Sequence, residues 1–106
     1  DEDKISEMPD PMEIDKLIHE PARLLIVSYL YVVEEADFVF LKNQTKLTWG
    51  NLSSHISKLE KEDYVDVKKE FMQNKPHSIA KLTEKGRNAF KKYLDNMNKV
   101  LGGISE

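Results

Sequence analysis

Between Leu52 and Lys68 the spacing of apolar side chains changes from a helical to an alternating period, which limits the chain to a mixed fold where a helix runs directly into a sheet. Leu52, Ile56 and Leu59 fall at i, i+4 and i+7, the narrow stripe of an amphipathic helix from about Trp49 to Lys61, with Thr48 placed to cap its first turn. Tyr64-Val65-Asp66-Val67-Lys68 then alternates with β-branched residues, as a half-buried strand does. Asn74, Lys75 and Pro76 form a turn-like cluster, and His77 to Leu82 returns as the antiparallel partner, so the pair makes a hairpin with a basic tip.

The flanking segments complete the pattern. Pro21 suits the first position of a helix running to about Glu34, and its residues are apolar on almost every side, which places it centrally, under other elements or a second subunit. Asp37 caps a short helix with Phe38, Leu41 and Thr45 on its inner face; followed by a brief turn and the helix capped by Thr48, it makes a helix-turn-helix unit. Thr83 caps the last helix, whose stripe is Phe90, Leu94, Met97 and Leu101 and whose end is set by Gly102-Gly103. Ahead of all this, Ile14, Leu17 and Ile18 share helical spacing and suggest a short amphipathic turn or helix. The expected organisation is a flexible acidic arm over 1–12, one domain over 13–103 whose terminal helix covers 83–101, and a tail over 104–106. Three helices, a hairpin and a long final helix are the order of a winged helix-turn-helix, mainly α with a small β-hairpin.

A length of 106 residues with 40% hydrophobic content supports one modest core. The absence of cysteine excludes disulfides, thiolate metal sites and thiol chemistry. Leu24 to Val33 is too short for a membrane span and the acidic N-terminus does not suit a signal peptide, so the chain reads as soluble and cytoplasmic. The net charge of −3 conceals an uneven distribution. Residues 1–37 carry eleven acidic and three basic side chains, residues 38–81 five acidic and eight basic. A lysine-bearing middle therefore remains available to phosphates.

With Leu52, Ile56 and Leu59 turned inward, the helix from Trp49 presents Asn51, Ser54, His55 and Lys58 outward, preceded by Thr48. These groups reach bases or phosphates by hydrogen bonds, and acids occur only later, at Glu60 and Glu62. Trp49 lies near the buried stripe but at the exposed start of the helix, so it is a further DNA-contact candidate, expected to pack in part rather than to touch a base. Lys68, Lys69, Lys75 and His77, over a wing of about 68–77, add groups for phosphate contact. The competing readings are a solvated polar face and an ordinary charged strand edge. His19, His55 and His77 lie on different elements, which argues against a metal site. Ser53-Ser54-His55 lacks a carboxylate placed to orient the ring, and there is no glycine-rich phosphate loop, so no enzyme activity and no cofactor are expected.

The stretch TWGNLSSHISKLEKEDYVDVKKEF (Thr48 to Phe71), followed by KPHSIAKLTEKGRNAF (Lys75 to Phe90), resembles the winged helix DNA-binding proteins related to the MarR and ArsR regulators, especially their small archaeal and bacterial single-domain group. Glu20 to Leu24 and Ala36 to Phe38 extend the likeness over roughly residues 14 to 100. It implies a homodimeric transcriptional regulator on an approximately palindromic double-stranded operator, with half-sites about 34 Å apart. The terminal segments would gather the partner through Ile14, Leu17, Ile18, Phe90, Tyr93, Leu94, Met97, Val100 and Leu101. Where such proteins often have glycine before the strand this chain has Asp63, which must then tolerate a glycine-like turn. Many MarR relatives respond to a small ligand and ArsR relatives often use metal-binding cysteines; without cysteine the second route is closed, and the residues do not specify an effector. The alternative function is a winged helix used for protein–protein contact in a transcription-related or other assembly.

Overall fold

The computed structural model describes residues 5–104. A 3-10 turn at Pro11–Glu13 precedes helix α1 (Pro21–Val33), strand β1 (Glu35–Asp37), helices α2 (Phe38–Thr45) and α3 (Trp49–Lys61), strands β2 (Val65–Met72) and β3 (Lys75–Leu82), and helix α4 (Glu84–Ile104). This is the winged helix expected from the order of elements. Residues 1–4 of the acidic arm and 105–106 of the tail lie outside the described residues.

Local chemistry starts each helix. The Glu20 carboxylate accepts from the Arg23 amide ahead of Pro21, Asp37 accepts from Phe40, and Thr48 accepts from Asn51, each satisfying an amide of the first turn. The Thr83 hydroxyl accepts from the Gly86 amide at 2.9 Å and donates to the Asp63 carbonyl at 2.6 Å, so one side chain caps α4 and ties it to the end of α3. That end is a Schellman closure. Asp63 has φ 64°, Tyr64 N–H donates to Leu59 O, and Asp63 N–H donates to Glu60 O, so the glycine-like turn is made by an aspartate.

Ile26, Val27 and Leu30 of α1, Leu41 of α2, and Leu52, Ile56 and Leu59 of α3 form a core closed by Val65, Ala80 and Leu82 of the sheet and by Phe90 and Tyr93 of α4. Burial of each valine, leucine, isoleucine and phenylalanine among them contributes about 1.5–3 kcal/mol. The sheet is antiparallel in the order β1-β3-β2.

Several expectations are corrected. Of the turn or helix expected over Ile14, Leu17 and Ile18 the structure shows a single turn: the Asp15 carboxylate caps it by accepting from the Leu17 and Ile18 amides, and it goes no further because Glu20, ahead of Pro21, is extended. Asp10, in the described part of the arm, and Glu13 cap the 3-10 turn reciprocally, and just beyond the arm Asn96 of α4 donates to Glu13 O at 3.1 Å. The hairpin turns at Gln73-Asn74, both at positive φ, while Lys75 and Pro76 already belong to β3, opposite Met72 and Phe71. In a two-residue hairpin the pair beyond the closing one is not hydrogen-bonded, so the ring nitrogen of Pro76 costs the ladder nothing. Helix α4 runs through Gly102-Gly103 to Ile104, because Gly102 and Gly103 keep negative φ and do not supply the left-handed cap.

Candidate nucleic-acid interface

Helix α3 turns one face into the core and leaves Asn51, Ser54 and Lys58 exposed together, as expected, with Ser53 and Ser57 beside them. The two additional serines extend the hydrogen-bonding arc; neither falls on the spacing used to find it. The first carboxylate along α3 is Glu60.

His55 departs from this arc. Arg23 Nη1 lies 3.0 Å from His55 Nδ1, and since a guanidinium only donates, that nitrogen is the acceptor and the ring carries its proton on Nε2. Glu20 Oε1 stands 3.9 Å from the same nitrogen, beyond hydrogen-bond range, so the carboxylate that approaches the imidazole does not hydrogen-bond it. Arg23 also donates from Nε to Leu17 O at 2.6 Å. The backbone hydrogen bond from Arg23 holds the Glu20 carboxyl below its ordinary range. His55 therefore joins α3 to the start of α1 and is withdrawn from the outer face.

Thr48 is exposed but its hydroxyl is engaged as the cap of α3. Trp49 is half exposed, at 50%, with Lys42 Nζ 5.4 Å from its ring centroid. Together with Phe38, Val39 and Lys75 to Ser78 it lines an open cleft of about 290 Å³. The start of α3 and the root of the wing are thus adjacent walls of one surface.

Within the wing the cations are unequal. Lys68 pairs with Glu70 at 3.0 Å and lies 3.7 Å from Glu35; the hydrogen bond to Glu70 and the two carboxylates raise its pKa and occupy its charge. His77 lies 3.4 Å from Asp37, an ion pair only when the imidazole is protonated, and so ties β3 to the cap of α2. Lys69 and Lys75 are exposed, and no carboxylate among the described residues forms an ion pair with either.

The proposed dimer residues divide in the same way. Ile18, Phe90 and Tyr93 are buried in the chain's own core, and Tyr93 also hydrogen-bonds His19 at 2.7 Å, so these three do not offer a surface to a partner. Ile14, Leu17 and Met97 pack against that core, and Val100 is half-buried. Leu94 and Leu101 remain exposed at 39% and 59%. The buried face of α4 runs through Gly86, Phe90, Tyr93 and Asn96, one step round the helix from the stripe read in sequence. Among the described residues no three His, Asp or Glu side chains are grouped to hold a metal ion, and no helix is long and apolar enough to cross a membrane.

Comparison with known proteins agrees with this geometry. The uncharacterized protein MJ0432 of Methanocaldococcus jannaschii is 39% identical over 79 residues, covering 74% of this chain and 86% of the relative. Among solved structures, a transcriptional regulator homologue from Pyrococcus horikoshii OT3 superposes with a TM-score of 0.81 at 26% identity, over 98% of this chain and 99% of the other. NadR in complex with 4-hydroxyphenylacetate and the transcriptional regulator PA4135 share the fold, with TM-scores of 0.71 and 0.72 at 17% and 19% identity. This chain covers 71% and 74% of those two, which in turn match 97% of it. The two likenesses below 25% identity show the fold alone, and the Pyrococcus horikoshii protein, described as a transcriptional regulator homologue, agrees with the resemblance read from the sequence. Residues 22–101 match the family model for the winged helix DNA-binding domain, and the chain belongs to that family.

Proposed function

We propose that the protein is a transcriptional regulator that binds double-stranded operator DNA as a homodimer in the cytoplasm. The observation that carries this reading is the shared wall of Trp49 and Lys75 to Ser78, which sets the start of α3 and the wing on one face. On that face α3 enters the major groove with Asn51, Ser54 and Lys58 towards the bases and phosphates, Ser53 and Ser57 beside them, and Lys69 and Lys75 on the neighbouring backbone. Two such faces related by a two-fold axis read an approximately palindromic site with half-sites about 34 Å apart. Leu94 and Leu101 on α4, together with the exposed Leu25 and Val32 of α1, supply apolar area for the twin subunit. A small-molecule effector belongs to the reading as a class, by likeness to NadR, which was solved with 4-hydroxyphenylacetate.

The net charge of −8 on residues 1–37 favours a second reading, a winged helix that docks on a basic protein surface. Titration with random-sequence duplex at low and moderate salt separates the two. Binding that weakens steeply with salt is expected; no binding even at low salt would transfer the function to a protein partner.

A further inference from the structure

The wing carries apolar side chains where a ribbon that only grips phosphates has no use for them. Strand β1 pairs with β3 no further than Ile79, which stands opposite Lys68, so residues 69–72 and their partners 75–78 project without a third strand. Four residues at about 3.3 Å each give this projection a reach of roughly 13 Å. On it Phe71 is 79% exposed and Met72 is exposed beside it. Phe71 faces Pro76 across the ladder, and the turn beyond them is Gln73-Asn74, with φ of 54° and 62°. Such a two-residue turn matches the twist of its strands and presents a defined tip. Lys69 and Lys75 flank the tip without acidic partners among the described residues, while Glu70, the one acid there, is held by Lys68.

Amide side chains and lysines read the minor groove, whose floor presents mainly acceptors, and Phe, Met or Pro side chains beside them enter between base pairs where the stack opens. This tip contains both sets. The charge suits a polyanion, and in the minor groove, which lacks the thymine methyl groups of the major groove, the exposed ring suits the faces of the base pairs where the stack opens.

We propose that Phe71 is a minor-groove wedge: braced by Pro76, it presses between two base pairs while Gln73 and Asn74 reach acceptors on the groove floor. The proposal rests on the DNA-binding reading above and adds to it a kink of about 20–90° in the bound duplex. It also places a flexible pyrimidine–purine step under the wing, where the cost of unstacking is lowest.

The test uses duplexes of about 30 base pairs recovered from a random pool by the wild-type protein, labelled at both ends for energy transfer. Wild-type protein is expected to shorten the end-to-end distance. Phe71→Ala is expected to restore the straight duplex and to bind about tenfold more weakly, the loss of one stacked ring, with an unchanged salt slope because no phosphate contact is removed. Phe71→Leu keeps most of the bend, and both variants keep the thermal midpoint because the position is exposed. Equal bend and affinity in wild type and Phe71→Ala would overturn the wedge and leave DNA binding standing, as would a change in oligomeric mass without a change in bend. Failure of the wild type to recover any duplex would remove both readings.

Discussion

Gly86 of α4 lies against the backbone carbonyl of Tyr64, so close that a Cβ built at Gly86 would overlap it. The contact seats the start of α4 on the junction between α3 and β2, the same junction that Thr83 ties through the Asp63 carbonyl. Gly86→Ala is therefore expected to destabilise the protein by about 1–3 kcal/mol, the usual cost of overpacking, because the obstacle is backbone and cannot rotate away. Chemical denaturation would read this as a lower midpoint at unchanged slope. By contrast, Gly50→Ala meets no atom within 4 Å and is expected to raise helix stability slightly. Equal midpoints for the two variants would show that the α4 contact is not tight.

Asp63 occupies a left-handed conformation at the C-terminal closure of α3. An L side chain in this region costs roughly 1–2 kcal/mol, less for Asp than for most, and glycine avoids that cost while adding chain entropy to the unfolded state. Asp63→Gly is expected to stabilise by about 0.5–1 kcal/mol and Asp63→Val to destabilise by more than 1 kcal/mol. A thermal midpoint that falls in Asp63→Gly would contradict this account.

What the sequence discloses and what it withholds follow from the range of the interactions. Helix α3 was legible to its bounds because its cap, Thr48, and its stripe, Leu52, Ile56 and Leu59, are local signals. Strand β1 was not, since Glu35-Ala36-Asp37 has no pattern of its own and is a strand only by pairing with Lys81-Ala80-Ile79. The spacing of Ile14, Leu17 and Ile18 fits a turn or a helix, and only a turn capped by Asp15 forms, because the extended Glu20 ahead of Pro21 stops it. In the candidate interface the residue types were readable and their availability was not. His55 is claimed by Arg23, 32 positions away, and His77 faces Asp37 across the fold, whereas Lys68 pairs with Glu70 two positions on and only additionally approaches the distant Glu35. Phe71 was read only as the end of a matching stretch, because nothing local indicates that the third strand stops short of it.

Tyr64 donates its hydroxyl proton to Asp15 Oδ2 at 2.5 Å. Burial first, and the Asp15 carboxylate second, hold this phenol well above its ordinary range; burial and Asp15 raise Tyr93 as well. A raised folded pKa means that the native state keeps the proton longer than the unfolded chain. The associated stability is complete below about pH 10, where the unfolded phenol ionises, and is lost as pH rises towards the folded value. Denaturation midpoints are expected to decline above pH 10, with Tyr64→Phe showing a shallower alkaline decline than wild type from a lower starting stability. If wild type and Tyr64→Phe declined in parallel, the Tyr64 phenol would not be the source.

Leu94 and Leu101 stand on the exposed side of α4, seven residues or about two turns apart, where the proposed homodimer would bury them. Leu94→Glu and Leu101→Glu together are expected to halve the mass found by sedimentation and to leave the fold intact, since neither side chain belongs to the chain's own core. A dimer that survives both changes would have to be held by another face.

The final prediction concerns which lysines belong to the DNA face. Lys58 and Lys75 are exposed and without ion-pair partners among the described residues, whereas Lys68 already satisfies Glu70 and approaches Glu35. Bringing Lys68 to a phosphate would strand two carboxylates beside the DNA backbone, so its charge contributes little to counterion release. Lys58→Ala and Lys75→Ala should each flatten the salt dependence of binding by a slope of about 1, and Lys58→Glu and Lys75→Glu should weaken binding further through direct repulsion. Lys68→Ala should leave the slope unchanged and should lower stability only slightly, as expected of an exposed pair. Should Lys68→Ala flatten the slope as much as Lys75→Ala, the wing must exchange its internal ion pairs for phosphates on binding. The DNA face would then extend along β2 towards Glu35, displacing the centre of contact from the cleft between Trp49 and Lys75.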